Sequence, residues 1–136
     1  MPSIYFIDVT NRDGVQTARL GLSKLEKTLI NQYLNEMGVF QSEFGFPTTK
    51  HETAYLQANL ELQERGKMKP IRLAGWVRAT VEDVHASFRM VPSLKHLNLS
   101  ISTSEQMIYG KWGGRMGEDD VIASMTQAVD AAREHG

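Results

Sequence analysis

One structural unit recurs four times along this chain. Each unit has a short apolar run, a polar turn and a longer segment whose apolar residues are spaced as on one face of a helix. The apolar runs start near residues 4, 39, 71 and 97, and 136 residues divided among four units give 34 each. Strands that alternate with helices pair in parallel through right-handed crossovers. The repeat therefore predicts a single α/β domain over residues 1–136.

Two architectures fit such a repeat. The first is half of a (β/α)8 barrel, because the roughly 250 residues of a complete barrel give about 31 per unit. The second is a small open parallel sheet with helices on both faces. The unit length favours the half-barrel, with residues 4–7 as a first strand that is buried on both faces. After the fourth strand we expect a long loop that ends at Gly117.

Polar residues mark where the helices begin. Ser23-Lys24-Leu25-Glu26 and Thr49-Lys50-His51-Glu52 each have the form of a capping box, in which a hydroxyl and a carboxylate take up unpaired backbone N–H groups. Thr80 to Asp83 has the pattern that caps a third helix. Acidic residues at 118–120 suit the positive end of a fourth helix dipole.

Composition excludes several classes of function. Fifteen basic residues against 16 acidic ones give a net charge of −1, which provides no overall field to attract nucleic acid or an anionic membrane. No stretch approaches the roughly 20 apolar residues that span a bilayer, and the start of the chain does not have the pattern of a signal peptide. The chain has no cysteine, so disulfides and thiolate chemistry are excluded. A cytoplasmic protein is expected.

In parallel α/β folds, ligands bind beyond the carboxyl ends of the strands, and residues 8–16 lie there after the first strand. This segment places Arg12 beside Asp13, followed by Gly14 and then Gln16. A carboxylate at this place can bind a hard divalent cation, and a guanidinium can stabilise an oxyanion. The alternative is a solvated turn, because Arg-Asp-Gly is also common turn chemistry.

The second and third strands also carry charged residues near their carboxyl ends. Glu43 lies inside an otherwise apolar strand, where a charge is costly unless it is paired or points into a site. Arg12 and Arg78 are its candidate partners, and Arg78 closes the third strand. Beyond the fourth strand, Lys111 and Arg115 are candidates to bind a phosphate-bearing ligand, or are exposed loop charges.

The histidines do not complete a metal site. They stand at residues 51, 85, 96 and 135, and no two have the spacing that places a pair of ligands on one metal ion. None follows the end of a predicted strand, so a Ser-His-Asp triad is not expected either.

The segment Asp8-x-Thr10-x-Arg12-Asp13-Gly14-x-Gln16 resembles the signature of the DRE-TIM metallolyases. Three further segments follow in the family's order. Residues 42–47 are similar to its strand-two Glu-x-Gly-x-Pro segment, and 75–79 to its strand-three segment ending in Arg-Ala. Residues 102–105 and 110–113 are similar to its Thr-Ser-Asp and Lys-Leu-Gly region. The resemblance extends to about residue 125.

The resemblance implies a (β/α)8 barrel that condenses an acyl-CoA, usually acetyl-CoA, with an α-keto acid and hydrolyses the thioester. By this resemblance Asp13 would be a ligand of a divalent metal cation (Mg, Mn or Zn), and Arg12 would be the catalytic residue that stabilises the enolate or alkoxide. Four residues would contact substrate or organise its surroundings: Gln16, Glu43, Arg78 and Thr103.

Several features of this sequence depart from the family pattern. Asn11 replaces an apolar residue before Arg12, Val15 replaces a common Glu, and Asn98 stands where isopropylmalate synthases often carry His. The family's His-x-His metal pair belongs to a later strand, so the metal site of this chain is incomplete.

We therefore expect a homocitrate-synthase-like half-barrel, with 2-oxoglutarate favoured as the keto acid and little activity when isolated. The alternatives are a fragment of the isopropylmalate, citramalate or Re-citrate synthase type and a non-catalytic assembly or binding module. Because the strands at both edges would be open, we expect a homo-oligomer or a partner chain that supplies the C-terminal half.

Overall fold

The computed structural model describes residues 3–136. Four parallel strands form one sheet in the order β1-β2-β3-β4, and helices connect them. The strands are β1 (Ile7–Asp8), β2 (Gln41–Gly45), β3 (Arg72–Arg78) and β4 (His96–Ser100). The helices are α1 (Lys24–Glu36), α2 (Thr53–Glu64), α3 (Val81–Met90), α4 (Glu105–Trp112) and α5 (Glu118–Arg133). Within residues 3–136, no helix is long and apolar enough to cross a membrane.

The order of the strands distinguishes the two predicted architectures. When consecutive parallel strands are neighbours and all crossovers have one hand, every helix lies on the same face of the sheet. A sheet covered on both faces requires a strand order that reverses, as in doubly wound folds. The apolar core accordingly lies between one face of the sheet and the helices, with Phe44 and Leu73 of the sheet packed against Leu56 and Leu60 of α2. The sheet is consistent with half of a (β/α)8 barrel.

Three of the four predicted helix starts are confirmed. The Ser23 hydroxyl accepts a hydrogen bond from the Glu26 backbone N–H at 3.2 Å, and the Glu26 carboxylate accepts one from the Ser23 N–H at 2.7 Å. The Thr80 hydroxyl caps α3, and the Asp120 carboxylate accepts a hydrogen bond from the Gly117 N–H at the start of α5. These contacts are local, so the sequence pattern was sufficient to predict them.

Three expectations differ from the structure. The pattern 49–52 does not form a capping box, because the Glu52 carboxylate instead accepts a hydrogen bond from the Phe46 backbone N–H, and α2 begins at Thr53. The expected loop before Gly117 contains α4, which the Ser104 hydroxyl caps. The first apolar run is not buried on both faces: Ile4 is 80% exposed and Phe6 72%, because β1 is a sheet edge that pairs only with β2.

Gly75 of β3 permits the close approach of the loop after β2. A Cβ atom at this position would lie 2.7 Å from Cγ of Pro47. We therefore expect Gly75→Ala to lower the free energy of unfolding by about 1–3 kcal/mol, as overpacking does elsewhere. Urea unfolding followed by circular dichroism measures this.

Gly110 provides the matched control for this substitution. It lies inside α4, and nothing stands within 4 Å of a Cβ added there. Gly110→Ala should raise stability by roughly 0.5–1 kcal/mol, because alanine restricts the unfolded chain and favours helix. Equal effects of the two substitutions would contradict the steric explanation.

Candidate active site at the carboxyl ends of the strands

The turn after β1 is held rigidly by its own backbone. The Asp8 carboxylate accepts hydrogen bonds from both the backbone N–H and the hydroxyl of Thr10, each at 2.9 Å. The Val9 carbonyl oxygen accepts from three successive backbone N–H groups, those of residues 12, 13 and 14. A short 3-10 helix, Gly14–Gln16, completes the turn. The predicted site residues Arg12, Asp13 and Gln16 therefore belong to one ordered structure.

Arg12 lies on the helix-free face of the sheet. Its guanidinium carbon is 3.5 Å from the centre of the Trp76 ring, and its Nη1 donates a hydrogen bond to Asp13 Oδ1 at 2.8 Å. The Arg12 side chain is only 18% exposed. A guanidinium has five N–H donors, so stacking and one ion pair leave donors that can face an anion.

Asn11 points the opposite way, into the helix layer. Its Nδ2 donates to the Lys27 carbonyl oxygen and to Asn31 Oδ1, both at 2.8 Å. We use the term carboxamide cluster for the polar side chains that meet there: Asn11, Asn31, Ser42, Tyr55 and Asn59. Burial raises the pKa of the Tyr55 phenol above its usual range, so this hydroxyl stays protonated.

An ion pair between a buried lysine and a partly buried glutamate holds the loop after β2. Lys27 Nζ donates to Glu52 Oε1 at 2.5 Å, and the other Glu52 oxygen accepts from the Phe46 N–H at 2.7 Å. Gly45 makes room for this carboxylate, because a Cβ there would lie 2.6 Å from Glu52 Oε2. Helix α1 thus fixes the turn after β1 through Asn11 and the loop after β2 through Lys27.

The two loops and β3 line an open cavity of about 510 Å³. Its walls combine the cation of Arg12 and the amide of Gln16 with the aromatic rings of Phe46 and Trp76. Further lining residues come from the turns on either side: Asn11, Val15, Thr49, His51 and Glu52. Apolar walls with a few converging polar groups are typical of small-molecule sites. A cation in this setting suits a ligand with a carboxylate or a developing oxyanion.

Glu43 lies on the same face of the sheet as Arg12, but its hydrogen-bond partner is not the one that the sequence predicted. Its Oε1 accepts a hydrogen bond from Asn98 Nδ2 at 2.6 Å, and Asn98 Oδ1 accepts from Gln41 at 3.0 Å. Within residues 3–136, neither predicted arginine pairs with Glu43. These hydrogen bonds connect β2 to β4 across Ala74 of β3, which lies between them. Side chains from alternate strands also form the layers inside a (β/α)8 barrel.

Arg78 and Thr103 lie away from the cavity that contains Arg12. The Arg78 guanidinium makes two 2.7 Å hydrogen bonds to the Asp83 carboxylate, which raises the pKa of Arg78 above its ordinary value. Arg78 also lines a second cavity of about 390 Å³ together with Lys111, whose Nζ donates to the Ser102 hydroxyl. Thr103 is exposed in the segment between β4 and α4.

The residues present fit a divalent cation only in part. The Asp13 side chain is 61% exposed, and its Oδ1 already accepts a hydrogen bond from Arg12. In the part of the chain that the structure describes, no group of three or more His, Cys, Asp or Glu residues could hold a metal ion. One carboxylate is too few ligands for a complete Mg²⁺, Mn²⁺ or Zn²⁺ site.

Sequence reasoning missed the aromatic and amide residues around Arg12 and Glu43. Trp76 is two residues before Arg78, and side chains two apart share a face of a strand, so its position facing the site could have been inferred. The contact of Asn98 with Glu43 has no such signal, because 55 residues separate the two along the chain.

Comparison with known proteins assigns the chain to a family. The HMGL-like family profile matches residues 3–136. The chain is 69% identical over 136 residues to a protein of Dehalococcoides mccartyi strain CBDB1 named citrate (Re)-synthase, covering 100% of this chain and 33% of that protein. It is 35% identical over 136 residues to 2-isopropylmalate synthase 2 of Caldanaerobacter subterraneus subsp. tengcongensis, covering 98% of this chain and 33% of the relative.

A third relative, the 2-isopropylmalate synthase of Saccharolobus solfataricus, is 26% identical over 133 residues, which cover 98% of this chain and 33% of the relative. The chain thus spans about a third of the length of these curated relatives. The family match covers nearly every residue. The chain belongs to the HMGL-like family, the DRE-TIM group that its first motif resembles.

Proposed function

We propose that this chain supplies the Arg12 part of an active site that condenses acetyl-CoA with an α-keto acid. The observation that carries the proposal is the geometry of Arg12, whose guanidinium is held on Trp76 and beside Asp13 at the wall of a cavity lined by aromatic and polar side chains. A preorganised cation needs no reorganisation when negative charge develops on a bound oxygen. The synthase names of the relatives support the same reaction class.

The reaction gives each residue a chemical task. The methyl carbon of acetyl-CoA gives a proton to a base, the resulting enolate carbon bonds to the keto carbon, and the keto oxygen becomes an alkoxide that takes the proton back from the protonated base. Water then cleaves the thioester to a carboxylate and free coenzyme A. Arg12 is placed to stabilise the alkoxide, and Gln16 lies in the same cavity to orient substrate. Glu43, on the same face of the sheet, is proposed as a further substrate contact, and Arg78 and Thr103, which lie away from the Arg12 cavity, are proposed to contact a more distant part of the substrates.

The keto acid that we propose is oxaloacetate. The sequence patterns favoured a homocitrate-synthase-like enzyme with 2-oxoglutarate, whereas the comparisons support a keto-acid synthase without singling out that one. The 69% identity to a citrate (Re)-synthase covers the whole chain, including the cavity around Arg12. A synthase of citrate from acetyl-CoA uses oxaloacetate.

Thioester release tests this assignment. The chain is mixed with a second chain that corresponds to the two-thirds of the relatives that this chain does not match. Free thiol is then measured with acetyl-CoA and each of four keto acids: oxaloacetate, 2-oxoglutarate, pyruvate and 2-oxoisovalerate. Release should be greatest with oxaloacetate, absent with Arg12→Ala, and low without the second chain. Equal release by the Arg12→Ala variant would refute the role of Arg12, and a preference for another acid would refute the substrate.

Asp13 is proposed to bind a divalent cation, and when bound this ion would polarise the keto group as a Lewis acid. Because the described residues contribute a single carboxylate, we expect weak binding by the chain alone. Titration calorimetry with Mn²⁺ should show weak heat that Asp13→Asn abolishes. Tight binding that persists in Asp13→Asn would place the cation elsewhere.

Exposed apolar residues support a second function, that of an assembly module. Ile4, Tyr5 and Phe6 at the β1 edge are all exposed, as are Leu25 and Met37 of α1 and its C-cap. Monomeric proteins rarely leave such surfaces in water. Light scattering at micromolar concentration should therefore show a homo-oligomer, or a complex once the second chain is added. A monomer in both samples would contradict this proposal.

A further inference from the structure

We propose that Asn11 and Asn31 are positioning residues for Arg12: the carboxamide cluster, buried behind the sheet, sets where the guanidinium lies on Trp76. What Arg12 then does rests on the proposed function, whereas its placement by the cluster does not. Three observations carry the inference.

The first observation is that Asn31 makes every hydrogen bond that its side chain can make. Its Oδ1 accepts from Asn11 Nδ2 at 2.8 Å and from the Ser42 hydroxyl at 3.0 Å. Its Nδ2 donates to Tyr55 Oη and to Asn59 Oδ1, each at 3.0 Å. All these groups are buried. A fully satisfied amide in a low-dielectric interior is held in one orientation, so it is a fixed point on α1.

The second observation is that Asn11 connects this fixed point directly to Arg12. The two residues are neighbours in a turn already closed by the Asp8 carboxylate and the Val9 carbonyl oxygen. Asn11 enters the helix layer while Arg12 reaches the other face of the sheet. In so short and constrained a segment, the anchoring of one side chain sets the backbone from which the next one starts.

The third observation is an energetic cost. Asn11 Oδ1 is buried and has no hydrogen-bond partner within residues 3–136. An unpaired buried acceptor destabilises a fold, and an apolar side chain at this position would avoid the cost. The Asn11 amide is therefore better explained by the direction that its Nδ2 imposes on the turn than by a gain in stability.

Ring-current shifts provide a test that needs no activity. A guanidinium stacked on Trp76 carries the Arg12 Hδ protons over the ring, so their NMR signals move upfield, and Trp76→Leu gives the reference without the ring. In Asn11→Ala and Asn11→Leu we expect these signals to move at least half of the way towards that reference. Both variants should remain folded, because Asn31 keeps Ser42, Tyr55 and Asn59 as partners.

Leu60→Ala is the matched control for loss of stability. Leu60 is a buried apolar residue of α2, and its truncation should lower stability without moving the Arg12 signals. Unchanged Arg12 signals in both folded Asn11 variants would overturn the inference, as would ordinary Arg12 shifts in the unsubstituted chain. Failure of the thioester assay would remove the proposed function and leave this result intact, so the two failures are distinguishable.

Discussion

Lys27→Met is expected to lower the free energy of unfolding by about 3 kcal/mol, the lower end of the usual cost of removing one partner of a buried ion pair, because Glu52 is only partly buried. The Lys27 side chain is 6% exposed and that of Glu52 21%, with Nζ and Oε1 2.5 Å apart. The substitution leaves the Glu52 carboxylate, four-fifths of which is shielded from water, without its counter-charge. The remaining hydrogen bond from the Phe46 N–H offsets only part of that cost.

Urea unfolding measures this effect against two controls. Lys24→Met changes an exposed lysine one turn earlier on α1 and removes its exposed hydrogen bond to the His51 carbonyl oxygen, so it should cost about 1 kcal/mol or less. The double variant Lys27→Met with Glu52→Gln should recover most of the loss, because a neutral amide needs no counter-charge and can still accept from Phe46. If the double variant were less stable than Lys27→Met, the charge of Glu52 would not be the source of the loss.

Asn31→Leu is expected to cost at least about 3 kcal/mol, because each buried polar group left unpaired costs about 1–3 kcal/mol. The substitution removes a partner from the Ser42 hydroxyl, the Tyr55 hydroxyl and Asn59 Oδ1 at once. Leucine is also bulkier than the amide that it replaces, so packing cannot compensate.

Gln32→Leu provides the comparison for Asn31→Leu. Gln32 is the next residue of α1, is partly exposed and should tolerate leucine with a change of about 0.5 kcal/mol. Thermal unfolding followed by circular dichroism should show a much lower midpoint for Asn31→Leu than for Gln32→Leu. Similar midpoints would mean that water or rearranged side chains replace the lost hydrogen bonds.

Much of the fold could be predicted from the sequence because its signals are local. The Ser23 to Glu26 box joins residues three apart, and the apolar repeat gives the number of units and their order. The motif 8–16 follows a strand and forms a turn through hydrogen bonds among its own residues, so its place at the carboxyl end of β1 could also be predicted. The family match over residues 3–136 confirms the family resemblance that this motif indicated.

Sequence-based predictions were wrong where a local pattern competed with a distant partner. Thr49 and Glu52 have capping-box spacing, yet Glu52 binds Lys27, which is 25 residues away, and the Phe46 N–H. Pairing the Glu52 carboxylate with a buried charge and a backbone N–H stabilises the fold more than capping an exposed helix start would. The apolar residues 4–6 carry the sequence signal of a buried strand, but burial depends on neighbours, and β1 has one strand beside it.

By itself, the sequence determined the repeated unit, most helix starts and the rigid turn that presents Arg12, since each depends on contacts within a few residues. Only the tertiary structure decided which groups meet across the sheet. The Arg12 guanidinium stacks on Trp76, and Glu43 accepts a hydrogen bond from Asn98 rather than pairing with an arginine. Asn11 donates a hydrogen bond to Asn31. These partners lie between 20 and 64 positions apart, and no local pattern encodes a contact that exists only after parallel strands and helices have packed together.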